Sequence, residues 1–160
     1  MSEQADYQVV QQSALGRELT DDDCKVLAKI MEVRHLKDDE VLAEEGESNN
    51  TLQILTAGRL AVTKTVESEP VMLYILRIGE FAGSRSFVDG IKRQASLRAI
   101  GETTVYILAP EPFEALLETH PRIVYQVMRA IFRMAHNTLM RMNREKEQLN
   151  SYVYKFGGRY

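Results

Sequence analysis

The apolar positions of this chain switch period twice, from helical to strand-like and back, and the switches predict its elements. Residues 1–14 are polar, rich in Gln and Ser, and lack a sustained period, which predicts an N-terminal arm or a short helix. In LTDDDCKVLAKIMEV, Leu19, Val26, Leu27, Ile30 and Met31 fall on one helical stripe. Thr20 is a helix-capping residue, Asp23 follows three positions on, and acids fill the first turn, where the helix dipole favours them.

From about residue 32 to 108 the texture changes to short runs bounded by turn residues. VRHLK, EVLAEE, LQILT, RLAVTKTV, VMLYILR, QASLRAI and TTVYILA are rich in β-branched and aromatic residues. Turn signals separate them at Lys37-Asp38-Asp39, Glu45-Gly46-Glu47, Ala57-Gly58, Glu69-Pro70, Gly79 and Gly101. Roughly seven or eight short strands with no helices between them predict a sandwich or barrel, not a parallel α/β sheet of the Rossmann type.

After Ala109 the helical period returns. Pro110 and Pro112 open a short helix, and Pro121 starts a long one. In the long helix Val124, Met128, Ile131, Ala135, Thr138, Met142 and Leu149 follow a near-heptad spacing, with Ile123, Val127, Phe132, Met134 and Leu139 on a second flank. Its reach of about 45 Å exceeds what a small barrel needs to cover itself. One stripe packing on the body and the other on a partner helix predicts a homodimer; a single broad face on the chain's own core is the alternative. The predicted layout is an arm at 1–14, a barrel with flanking helices at 15–120, a dimerisation helix at 121–150 and a tail at 151–160.

Composition adds mostly exclusions. In 160 residues the apolar share of 44% is enough for one core, and a net charge of −3 gives no global basic field for nucleic acid or anionic membrane. The single cysteine, Cys24, cannot form an internal disulfide and reads as a small buried residue in a reducing compartment. With no basic-then-apolar leader and no apolar run of about 20 residues, cytoplasm is the expected location and no membrane contact is expected. The three histidines, His35, His120 and His136, lack metal-triad spacing, and no Ser/His/Asp or Cys/His arrangement is visible. No metal, cofactor or catalytic residue is expected, and the chain reads as a non-enzyme.

The chemistry concentrates in GEFAGSRSFVDGIKRQAS, Gly79 to Ser96. A turn at Gly79 leads to Gly83 and the small polar Ser84 and Ser86, then a helical turn through Phe87-Val88, a second turn at Asp89-Gly90, and Arg93 beside Ala95 and Ser96. Glycine at a close backbone approach, free amides and one arginine make an anion cradle.

This segment resembles the phosphate-binding cassette of cyclic-nucleotide-binding domains, as in Crp/Fnr-type regulators and cyclic-nucleotide-dependent kinases. Gly79, Glu80, Phe81, Gly83, Ser86, Phe87, Asp89, Gly90, Arg93 and Ala95 fit the pattern, with Ser96 in place of Thr. The similarity spans about residues 15–142 and implies a jelly-roll β-barrel followed by a long C-terminal helix. It further implies phosphate contacts from Arg93, Gln94, Ala95 and Ser96, a ribose contact from Gly83, and base contacts from Thr138 and its neighbour Asn137. Ser84 stands where the family has a glutamate that accepts from the ribose 2′-hydroxyl. Ser84 is too short to span that gap directly. Glu80 cannot replace the glutamate without breaking the gapless register, and Arg85 has no role beyond positive charge at the pocket mouth.

The resemblance implies a regulatory module whose ligand is cAMP, cGMP or a similar small anion, relayed through the long helix. A degenerate domain that has lost the nucleotide and serves as a dimeric protein-interaction module is the alternative; a cyclic dinucleotide is a lesser one. A Crp/Fnr-type transcriptional role would act through a partner, because about ten residues after the helix leave no room for a helix-turn-helix, and direct DNA binding is not expected.

Overall fold

The computed structural model describes residues 2–157. The N-terminal segment is not a loose arm. Helix α1 (Tyr7–Gln12) is capped by Asp6, whose side chain accepts from the Gln8 amide, and Ala5 and Val10 are buried in the core. Helix α2 (Asp21–Lys29) has the expected capping box: Thr20 accepts from the Asp23 amide, and the Asp23 carboxylate accepts from the Thr20 amide. Met31, read as the end of its stripe, instead starts strand β1 (Met31–Leu36).

The remaining strands are β2 (Val41–Ala43), β3 (Leu52–Val66), β4 (Glu69–Leu76), β5 (Phe81–Ala82) and β6 (Ser96–Leu108). They form one antiparallel sheet in the order β1-β6-β3-β4, with β2 on β6 and β5 on β3. The architecture is mainly β with flanking helices, as expected. The hydrogen-bonded path stays open, however, with β1 and β4 at its ends, so the sheet does not close into a barrel.

There are fewer strands than the turn signals suggested because two glycines interrupt strands without ending them. Gly58 (φ +82°) lies within β3 and Gly101 (φ +72°) within β6. The β3–β6 register shifts on either side of Ala57, so these positive-φ residues are bulges that bend two long strands. The β3–β4 reversal falls at Glu67 and Ser68, both at positive φ, and Pro70 lies inside the edge strand β4.

Side chains alternate between two cores along β3 and β6. Leu52, Ile54, Tyr106 and Leu108 face a core shared with the helices, whereas Leu55, Val105 and Ile107 face a core inside the sheet. Burial on both faces explains the near-continuous apolar runs at 52–55 and 105–108. Cys24 lies in the helical core; burial, then Asp23 and Asp21, push its thiol up to about 11.

Helix α3 (Ser84–Asp89) follows β5, and α4 (Pro110–Thr119) leads into α5 (Pro121–Gly157), which continues past the expected end at residue 150. Residues 158–160, the end of the expected tail, lie outside the described residues. Ile123, Val127, Ala130 and Ile131 of α5 are buried in the helical core. Val124 packs inward too, so the predicted seam is rotated. The face left open carries Tyr125, Phe132 (73% exposed), Leu139 and Met142. No helix among the described residues is long and apolar enough to cross a membrane.

Candidate functional site

Strand β5 pairs with β3 through Ala82 and Gln53 and delivers the chain to Gly83. Gly83 caps α3 in the left-handed conformation (φ +85°), and a Cβ there would run into the Arg93 guanidinium, the Gln53 amide oxygen and the Thr51 carbonyl. Glycine is therefore required twice over, by dihedral and by space. Gly90 (φ +69°) ends α3, and Phe87 anchors it on Phe113, ring centroids 5.2 Å apart.

Arg93 is pinned by its backbone: its N–H donates to the Glu47 carbonyl at 2.9 Å, and its carbonyl accepts from the Gly46 amide at 2.8 Å. The side chain is turned inward and only 5% exposed. Its Nη2 donates to the Thr51 carbonyl and to Asn49 Oδ1 at 3.1 Å. Arg93 Nε and Gln53 Oε1 are buried without a hydrogen-bond partner among the described residues. Burial pulls the guanidinium below its ordinary pKa while the Glu47 carboxylate pulls it back up; arginine stays charged regardless.

Arg93 lines a hollow of about 150 Å³ together with Gly83, Ser84, Arg85, Ser86, Gln94 and Ala95. A second hollow of about 340 Å³ shares Gly83, Ser84, Ala95 and Tyr74 with it and runs along α5 past Met134, Thr138 and Met142. Among the described residues, no carboxylate lines either one. Burial and the Glu80 carboxylate raise the Tyr74 pKa, with Arg141 opposing, so its hydroxyl is held as an O–H.

Gly83, Ser84, Arg93, Gln94 and Ala95 thus meet in one place, and Thr138 stands on the adjoining wall. Two expected residues do not join them. Ser96 opens β6 and its hydroxyl accepts from the Glu45 amide at 2.9 Å, away from the hollow. Asn137 lines a neighbouring cleft with Arg17, Glu80, Arg133 and Arg141, which shares Met134 and Thr138 with the second hollow but does not reach Arg93. Arg85, at the rim, is paired with Asp89 at 2.6 Å. The histidines lie apart: His35 contacts Glu3 and Thr104, His120 contacts Thr119, and His136 stacks on Phe132.

Sequence reasoning missed Asn49, Thr51 and Gln53, which hold and flank the arginine, and Tyr74 and Met134, which wall the hollow. One signal was available: Gln53 is a lone polar residue in the apolar run LQIL, and a fully buried amide needs polar company.

The open sheet, the glycine-capped helix α3 and the inward arginine define the class of fold. Residues 33–120 match the family model described as cyclic nucleotide-binding domain, and the chain belongs to that family. Curated relatives include uncharacterized NTE family proteins of Mycobacterium tuberculosis and Mycobacterium bovis, 27% identical over 117 residues. That alignment covers 73% of this chain but only 20% of theirs, so the chain spans about a fifth of the length of the curated relatives it matches.

Among solved structures, a cyclic nucleotide-binding domain from Methylobacillus flagellatus superposes with a TM-score of 0.83 at 16% identity, covering 91% of this chain and 86% of that one. The catabolite activator protein of Thermus thermophilus gives 0.73 at 21%, covering 86% and 63%. The regulatory domain of Toxoplasma gondii PKA, solved with cAMP, gives 0.62 at 20%, covering 68% and 42%.

Proposed function

We propose that this domain is a non-catalytic sensor that takes a cyclic nucleotide in the hollow at Arg93 and passes the event to α5. Arg93 neutralises the phosphate, the backbone at Gln94 and Ala95 contacts it, Gly83 and Ser84 face the ribose, and Thr138 faces the base. The observation that carries the reading is the inward Arg93, nearly buried at the wall of a hollow, with Nε unpartnered. A buried charge with unused donor capacity is costly unless an anion completes it.

Relay has a physical route. The Phe81 amide donates to Met134 Sδ at 3.5 Å, and Met134 packs against both cores. A ligand between Gly83 and Thr138 touches the strand end and the helix that this contact joins, so it can favour one setting of α5 over another. The open apolar face of α5 pairs with the same face of a second copy, and the whole acts in the cytoplasm without contacting DNA itself.

Titration calorimetry with cAMP and cGMP tests this. The expected result is binding in the micromolar range that Arg93→Ala weakens at least about tenfold, the scale of a lost charge-assisted hydrogen bond. If neither nucleotide gives heat at high micromolar concentration, the protein-interaction reading replaces it; the exposed α5 face favours that one.

A further inference from the structure

We infer that this hollow, taken as the nucleotide site proposed above, accepts cyclic phosphodiesters without regard to the ribose 2′-hydroxyl.

The hollow at Arg93 and its extension along α5 present two guanidiniums, Arg85 and Arg93, which can only donate hydrogen bonds. Hydroxyls come from Ser84, Ser86, Tyr74 and Thr138, and among the described residues no carboxylate is present on either wall. The nearest acids stand outside those walls, each with a partner of its own. Asp89 pairs with Arg85, Glu47 Oε2 accepts from the Glu44 amide at 2.8 Å, and Glu80, whose Oε1 accepts from the Arg77 amide at 2.8 Å, lines the adjoining cleft that shares Met134 and Thr138 with the second hollow.

A phosphate oxygen is an acceptor, and this wall is rich in donors for it. A 2′-hydroxyl gains most as a donor to a charged acceptor, a bond worth about 10- to 100-fold in affinity. At Ser84 it meets at best a neutral hydroxyl on a one-carbon side chain. The ligand class is therefore set by the phosphodiester anion and the base, and ribo- and 2′-deoxyribo-forms are near equivalents.

The test is competition calorimetry of cAMP and 2′-deoxy-cAMP on the intact chain, wild type and Ser84→Glu. Glutamate at the first position of α3 is compatible with the helix dipole, so the variant is expected to fold; its circular dichroism is the check. In the wild type the two affinities are expected to agree within about fivefold. In Ser84→Glu, cAMP is expected to gain at least about tenfold over 2′-deoxy-cAMP. A wild-type preference for cAMP of fivefold or more overturns the inference and leaves the sensor reading standing. Equal affinities in a folded Ser84→Glu variant overturn the placing of residue 84 at the ribose. Absence of binding by either nucleotide to the wild type overturns both the inference and the sensor reading.

Discussion

Arg93 carries two duties at once. Its guanidinium faces the hollow, yet its Nη2 also ties down the Thr51 carbonyl and Asn49 across more than 40 residues of chain. From sequence alone, Arg93→Ala is expected to leave the ligand-free melting temperature nearly unchanged, as for a binding residue with no structural role. The buried position revises that. Truncation strands acceptors on the 49–51 loop, so the ligand-free protein is expected to lose about 1 to 3 kcal/mol, read from urea unfolding. An unchanged midpoint would show those bonds to be energetically neutral. The cassette itself was legible because its residues are contiguous: Gly83, Ser84 and Arg93 are found together as read. The support from Asn49, Thr51 and Gln53 was not, because it arrives from a loop and strand about 40 residues away in the chain and leaves only one local trace, the isolated amide of Gln53.

At the level of elements, glycine was a true signal read with the wrong meaning. Positive φ is needed at Gly58 and Gly101, but a bulge and a reversal demand the same dihedral, so sequence split β3 and β6 into shorter strands. The converse occurred at the β3–β4 hairpin. Its two-residue turn places Glu67 (φ 50°) and Ser68 (φ 67°) in the left-handed region, where Asn-Gly is the favoured pair. Nothing in the residue types announces a turn there, and Pro70 drew the boundary too late. Glu67→Asn combined with Ser68→Gly is expected to stabilise the protein by about 1 kcal/mol through relief of that strain, measured by thermal or urea denaturation. Loss of stability instead would mean that the native side chains make compensating contacts. The Thr20 capping box, wholly local, was read correctly for the same reason that the hairpin was not: its signal lies in the side chains themselves.

Across the whole molecule, the open face of α5 carries the proposed assembly. Tyr125, Phe132, Leu139 and Met142 lie exposed along its outer side, with Met128 between them also packing on the helical core, a seam turned away from the one predicted through Val124 and Ile131. Those two positions turned out to serve the chain's own core, a choice that periodicity cannot make when both stripes are apolar. On the proposed dimer, sedimentation of the wild type is expected at twice the chain mass, and Phe132→Asp with Leu139→Glu at the mass of one chain with its melting temperature retained. A monomeric wild type at tens of micromolar would remove the second copy from the picture.

The same helix has a mechanical meaning. Met134 is seated between the two cores, and the described helix continues to Gly157, about 35 Å further at 1.5 Å per residue. With Met134 as fulcrum, a tilt of about 10° swings the far end by roughly 6 Å, about one helical pitch. On the proposed relay, a sub-ångström adjustment beside Phe81 would be geared up into a displacement large enough to change which surface meets a neighbour.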